Sequence, residues 1–234
     1  MSGIAADPAD PNSLSYKLRS KRDRFLRDCL LSARSRRPDG EFRIIDLGGG
    51  AAYWQRVGLD WLAEHGMTVR CINQNGSELS RSADGSTPII LEVGDACNVS
   101  GYADDSFEFV HSNSVIEHVG DWNKMAAFAG EVRRLAPSYY VQTPYFWFPF
   151  DPHFFRVPMI HWLPSPLRAK VHRRIKAGWA ERAKSVGHAM SLAQSNTMLD
   201  RSQMRFLFPD AAHRFEYIYG VPKSMIATRI KTED

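Results

Sequence analysis

The chain has 234 residues, 44% of them apolar and 24% charged, and a formal net charge of +4. These are the proportions of one ordinary domain with a substantial core, and they exclude a disordered or low-complexity chain. Three widely spaced cysteines, Cys29, Cys71 and Cys97, form neither a Cys-x-x-Cys pair nor a zinc-ligand pattern, which excludes a disulfide scaffold and fits a reducing compartment.

Residues 1–12 are polar, carry Asp7 and Asp10, and contain no apolar run. A disordered tail without a signal peptide, on a cytoplasmic protein, is the expectation. An N-terminal helical segment, 13–40, follows. Its helix reads from Ser13 to about Arg34, with Leu14, Leu18, Phe25, Cys29 and Ala33 at three- and four-residue steps. Lys17, Arg19, Lys21, Arg22, Arg24 and Arg27 crowd the same helix. Phe42, Ile44 and Ile45 then form a strand ending at Asp46, after which Gly48, Gly49 and Gly50 turn the chain into a helical pattern through Trp54, Val57, Leu59, Trp61 and Leu62. A strand that passes through glycines into a helix N-terminus is a ligand cradle, because the backbone can approach a ligand closely and offers free N–H groups. A dinucleotide fingerprint would need a small residue where Tyr53 stands. The carboxylate of Asp46 suits an ammonium group better than a pyrophosphate.

Met67 to Asn73 reads as a second strand, and Pro88 to Val93 as a third running into Gly94-Asp95-Ala96. Asp104 to Val110 leads into a fourth strand, followed by Ser112 to Val119. Glu131 to Pro137 ends a helix, and Tyr139 to Thr143 is a fifth strand. The order of these segments, from about Phe42 to Pro144, resembles the class I S-adenosylmethionine-dependent methyltransferases. The resemblance implies a Rossmann-like α/β fold: a mostly parallel seven-stranded sheet with an antiparallel edge hairpin and helices on both faces. It also implies S-adenosylmethionine as cofactor, held by Asp46, Gly48, Gly49, Gly50, Asn73, Gln74, Asp95, Ala96 and Asn113. Asp46 would take the amino end and Asp95 the adenine amino group. Asn73 stands where the family usually has an acid for both ribose hydroxyls. An amide can still accept one hydroxyl hydrogen bond, without the strength that charge adds.

Beyond the fifth strand, 144–188 is an insertion relative to the compact family core. It opens with Tyr145, Phe146, Trp147 and Phe148, which are expected to build the acceptor pocket, since ligands of open α/β sheets bind at the C-terminal ends of strands. His118, after the fourth strand, and His153, in the insertion, are the candidate catalytic bases. No metal is expected: in the Glu-x-x-Glu-His pattern of some metal-binding methyltransferases, the first acid is Ser114 here. Seven cations between Arg168 and Lys184 read as a basic helix that suits an anionic acceptor or surface. Ser202 to Phe208 reads as a short helix, and His213 to Tyr219 with Lys223 to Arg229 as the closing hairpin.

The expected activity is in-line methyl transfer to oxygen or nitrogen of a small-molecule or saccharide/lipid-linked acceptor. Asn113-Ser114-Val115-Ile116 lacks the prolines of enzymes that methylate base amino groups, and no Pro-Cys nucleophile pair is present, so nucleic acid is the least favoured partner. The longest apolar stretch, Tyr139 to Phe150, is too short for a membrane span and is broken by Pro144 and Pro149. The alternative reading is a non-catalytic binding or scaffold module of the same fold, for which Asn73 is the main support.

Overall fold

Neighbouring residues of the central strands point to opposite faces of the sheet, and in this chain both faces are apolar. The computed structural model describes residues 12–74 and 88–231. The N-terminal tail, 1–12, therefore lies outside the described residues except for Asn12.

The elements in chain order are α1 (Leu14–Arg34), β1 (Phe42–Leu47), α2 (Ala51–Val57), α3 (Leu59–Glu64), β2 (Met67–Asn73), β3 (Ile89–Val93) and β4 (Phe109–Asn113). They continue with α4 (Trp122–Leu135), β5 (Ser138–Pro144), α5 (Ser165–Arg174), α6 (Val186–Ala193), α7 (Arg201–Leu207), β6 (Ala212–Ile218) and β7 (Val221–Arg229). The sheet runs in the order β3-β2-β1-β4-β5-β7-β6. Its first five strands are parallel, and β7 enters antiparallel between β5 and β6. This is the expected Rossmann-like arrangement. The strand order reverses between β1 and β4, which opens a crevice at their C-terminal ends.

Ile44, Phe109, Tyr140 and Ile226 face one layer, where Leu26, Cys29, Leu30 and Ala33 of α1 and Trp54 of α2 cover them. Their sequence neighbours Ile45, Val110, Tyr139 and Ala227 face the other, under Phe128 and Val132 of α4 and Met204 and Leu207 of α7. Helix α1 starts where the Ser13 side chain accepts from the Tyr16 N–H at 3.0 Å, satisfying one free donor of its first turn. The stripe expected on α1 is divided: Cys29 and Ala33 join the core, while Leu14 and Leu18 line a cavity.

Two local expectations are corrected. The helix after the glycine turn is interrupted at Gly58, whose φ of 117° separates α2 from α3. The basic helix expected over 168–184 ends at Arg174. Beyond it the chain folds back on the loop at His153: Arg156 N–H donates to the Ala177 carbonyl at 3.0 Å, and a Cβ on Gly178 would fall 1.8 Å from the His153 carbonyl oxygen. A continuing helix could not make that approach.

Candidate active site

A cleft of about 310 Å³ opens over the C-terminal ends of β1, β2 and β4. Gly48 forms one wall. Its φ is 81°, and a Cβ there would lie 2.4 Å from Val115 Cγ1, so only glycine fits. The Asn73 side chain donates from Nδ2 to the carbonyls of Gly48 and Gly49, each at 3.2 Å. An amide at this position therefore fastens the glycine turn, which a carboxylate could not do. Across the cleft, Asp95 Oδ1 accepts from the Cys97 N–H at 2.9 Å, and Oδ2 lies 3.8 Å from Lys124 Nζ. Gln74, Ala96, Ser114 and His118 complete the rim.

Asp46 is elsewhere. It is fully buried, with Oδ2 accepting from Trp54 Nε1 at 2.7 Å and Oδ1 2.8 Å from His111 Nδ1. A Cβ on Gly49 would fall 1.6 Å from Asp46 Oδ2, so the carboxylate lies directly beneath the turn. In this arrangement Asp46 is the floor of the cradle and presents no free oxygen to an ammonium group. Gly49 and Gly50 shape the turn without lining the cleft, Gly50 as the N-cap of α2. Asn113 likewise faces away, accepting from Arg22 Nη1 at 3.1 Å. Gly48, Asn73, Gln74, Asp95 and Ala96 are the expected cofactor residues that the fold brings together.

A second cavity, of about 470 Å³, adjoins the first. Phe148, Phe150, Phe155 and Trp179 of the insertion give it an apolar side, with Leu14 and Leu18 of α1 opposite. Arg19, Arg22 and Lys223 also face it. Arg22 is paired with Glu216 at 2.6 Å. Burial, reinforced by the charge of Arg22, lowers Lys223 to about 8. Of the four aromatics expected here, Phe148 alone lines the cavity. Tyr145 and Phe146 are still held by backbone pairing, to Lys223 O and Leu199 O at 2.9 Å each. Tyr145 consequently packs on Phe215, while Trp147 turns outward beside Trp162. Arg22 and the α1 wall were not recognised from sequence. Their sign was the four-residue step Leu14, Leu18, Arg22, Leu26, which sets a cation on an apolar stripe.

The two cavities meet at Ser114, which lines both and holds a left-handed φ of 57°, a strained setting for a residue with a side chain. Beside it, His118 from the first cavity and His153 from the second approach each other at 2.9 Å between Nε2 atoms. Burial opposes charge on both rings. It lowers His118, whereas on His153 the hydrogen bond and charge of Asp151 outweigh it and raise the ring. Glu117, buried behind them, is pushed up to about 7 by burial, against the opposing hydrogen bonds of its own backbone and of Thr143.

Residues 45–138 match the family model for a methyltransferase domain. That stretch of the chain is a methyltransferase domain. Among solved structures, the magnesium protoporphyrin IX methyltransferase of Synechocystis PCC 6803 with bound SAH aligns over 98% of this chain and 91% of its own, at 12% identity and TM-score 0.52. An S-adenosylmethionine-dependent methyltransferase from Mesorhizobium loti aligns over 81% and 90%, at 18% identity and TM-score 0.50. At such identities these likenesses concern the methyltransferase fold alone. No curated protein matches the chain. The methyltransferase cofactor, S-adenosylmethionine, suits the first cavity: the Gly48 wall admits no side chain, and Asp95 offers an acceptor at the opposite rim. Among the described residues, no helix is long and apolar enough to cross a membrane.

Proposed function

We propose that this methyltransferase acts on a small amphiphilic acceptor that carries an anionic group, alone or as the head of a saccharide or lipid, and methylates it on oxygen or nitrogen. The observation that carries this reading is the junction: the glycine cleft and the aromatic cavity share Ser114, and His118 of the one meets His153 of the other at 2.9 Å. Bound S-adenosylmethionine supplies an activated methyl group on sulfur. The chain supplies position. Gly48, Asn73, Gln74, Asp95 and Ala96 hold the cofactor side, and Phe148, Phe150, Phe155 and Trp179 hold the apolar body of the acceptor. Fixing two reactants in line removes much of the entropic barrier of a displacement. Arg19, Arg22 and Lys223 face the cavity against the single carboxylate of Glu216, which leaves it net positive and suits an anion. His118 and His153 engage the reacting heteroatom and favour loss of its proton. Lys170, Arg173 and Arg174 continue the positive charge on the exposed side of α5, where they suit an anionic surface.

The test is labelled-methyl transfer to amphiphiles that share an apolar body and differ only in head group: carboxylate, phosphate, neutral or ammonium. Anionic members should be labelled preferentially. Trp179→Ser with Phe148→Ser should abolish labelling while leaving calorimetric affinity for S-adenosylhomocysteine unchanged. Preference for the ammonium member, or labelling untouched by the double variant, would assign the acceptor to another surface.

A further inference from the structure

The contacts of His118 and His153 fix which ring nitrogen carries each proton. His118 Nδ1 lies 3.0 Å from the Ser195 carbonyl oxygen, which can only accept, so Nδ1 is the protonated nitrogen. His153 Nδ1 lies 2.8 Å from Asp151 Oδ1, a fully buried carboxylate that also accepts from the His153 backbone N–H at 2.8 Å. The Asn196 amide nitrogen is 2.8 Å from the same ring nitrogen but offers no acceptor; it donates to Asp151 Oδ2 at 3.0 Å. The neutral form of each ring therefore presents a bare lone pair at Nε2. Those lone pairs meet at 2.9 Å, and two acceptors cannot bond to each other. Something positive belongs between them.

A shared proton would satisfy the rings alone. A third atom makes the same demand. Glu117 Oε2 accepts from Thr143 Oγ1 at 3.0 Å, but Oε1 has no partner, on a residue that is 1% exposed. The ligand atoms of Glu117, His118 and His153 all lie within 4.8 Å of one another. Two ligands bonded to one ion at about 2.1 Å stand about 3 Å or a little more apart, the range of the histidine pair.

We propose that Glu117, His118 and His153 form a binding site for a divalent transition-metal ion at the junction of the two cavities. Two imidazoles and one carboxylate are the donor set of zinc, cobalt, manganese or ferrous iron rather than of magnesium or calcium. The Asp151 carboxylate behind His153 and the Ser195 carbonyl behind His118 are the outer partners that fix ring orientation in such sites. Three protein ligands leave further positions open. Because His118 lines the cofactor cleft and His153 the acceptor cavity, those positions face the space where an acceptor oxygen would sit, and a bound hydroxyl would lose its proton more readily there. This last role rests on the proposed methyl transfer; the binding of the ion does not. A Glu-x-x-Glu-His pattern would place its first acid at position 114, whereas the third donor of this site is His153, 35 residues beyond His118.

The chelator-treated protein, titrated with Co²⁺ and with Zn²⁺ in a calorimeter, should take one ion per chain, and Co²⁺ should give the visible absorption of a nitrogen- and oxygen-ligated centre. Glu117→Gln, His118→Ala and His153→Ala should each weaken binding by more than about 100-fold, and Asp151→Asn by about 10- to 100-fold. A cooperative urea unfolding transition shows that each variant is folded. Absence of a stoichiometric ion, or histidine variants that bind it as the parent does, overturns the site and assigns the pair to a shared proton. An ion that binds as expected while no amphiphile is methylated upholds the site and sinks the acceptor reading instead. Methyl transfer that survives chelation, with no ion bound, does the reverse.

Discussion

The indole N–H of Trp54 donates to Asp46 Oδ2 at 2.7 Å, with both side chains fully buried. Helix α2 is thereby tied to the end of β1 directly under the glycine turn. Trp54→Phe keeps an aromatic ring but leaves a buried carboxylate oxygen without its donor, a cost of about 1–3 kcal/mol. Urea unfolding should show a loss of that size, and S-adenosylhomocysteine affinity should fall with it. Unchanged stability would mean that the Trp54 bond is not what satisfies Asp46.

Asn73→Asp is the informative change at the end of β2. If the residue served mainly as a weak ribose acceptor, the acid would tighten cofactor binding. The two donations to the Gly48 and Gly49 carbonyls imply the opposite, because the acid loses both N–H groups and brings negative charge against two carbonyl oxygens. Calorimetry should show S-adenosylhomocysteine affinity lower by about tenfold, or about 1.4 kcal/mol. Tighter binding would restore the ribose role.

Two glycines with nearly the same φ separate backbone strain from steric block. Gly40, at 82°, has open space where a Cβ would be, whereas Gly48, at 81°, has Val115 at 2.4 Å. Gly40→Ala should cost about 1 kcal/mol or somewhat more, from the left-handed conformation alone, and leave cofactor affinity intact. Gly48→Ala should lower stability further and abolish cofactor binding. Equal effects from the two would show that the approach to Val115 is easily relieved.

Lys223 gives the acceptor side a pH signature. Burial and Arg22 lower it to about 8, so it is an ammonium below that pH and an amine above it. Arg19 keeps its charge throughout and Glu216 stays paired with Arg22, while His153, raised by Asp151, lines the same cavity, so the Lys223→Met variant decides which group is responsible. KM for an anionic acceptor should rise several-fold between pH 7 and 9 while S-adenosylhomocysteine affinity stays level. Lys223→Met should start from the higher KM and flatten the profile. A slope retained in that variant would place the titrating group elsewhere.

What the sequence discloses and what it conceals follow from the range of the interactions involved. Met67–Asn73 is legible because Met67, Val69 and Cys71 alternate as a strand must, and Gly48 because a strand that turns into a helix needs it. The stop at Gly58 is concealed, since Leu59, Trp61 and Leu62 continue the helical spacing across it. The end of α5 at Arg174 depends on the backbone contact of Gly178 with His153, 25 residues earlier, which no local pattern records. Asp46 is misread for a related reason: its position after a strand is that of a cofactor ligand, but Trp54 and His111 are what it meets once the sheet has formed. The aromatics of 145–148 read as one block in the sequence, but residual backbone pairing at Tyr145 and Phe146 lets Phe148 alone of the four face the cavity.

Among the described residues that line the aromatic cavity, Ser114 alone falls within 45–138, the stretch matching the methyltransferase domain. The rest of that wall is drawn from α1 before it and from residues 142–224 after it. On the proposed reading, selectivity and cofactor handling lie on separate pieces of chain, joined through one serine and one pair of histidines. Substitutions that retune Leu18, Phe155 or Trp179 to another acceptor leave the packing beneath the glycine turn untouched. The same partition makes the molecule a natural recipient for transplanted walls: a chimaera that exchanges the outer segments while keeping 45–138 would change what is methylated and preserve the means of methylating it.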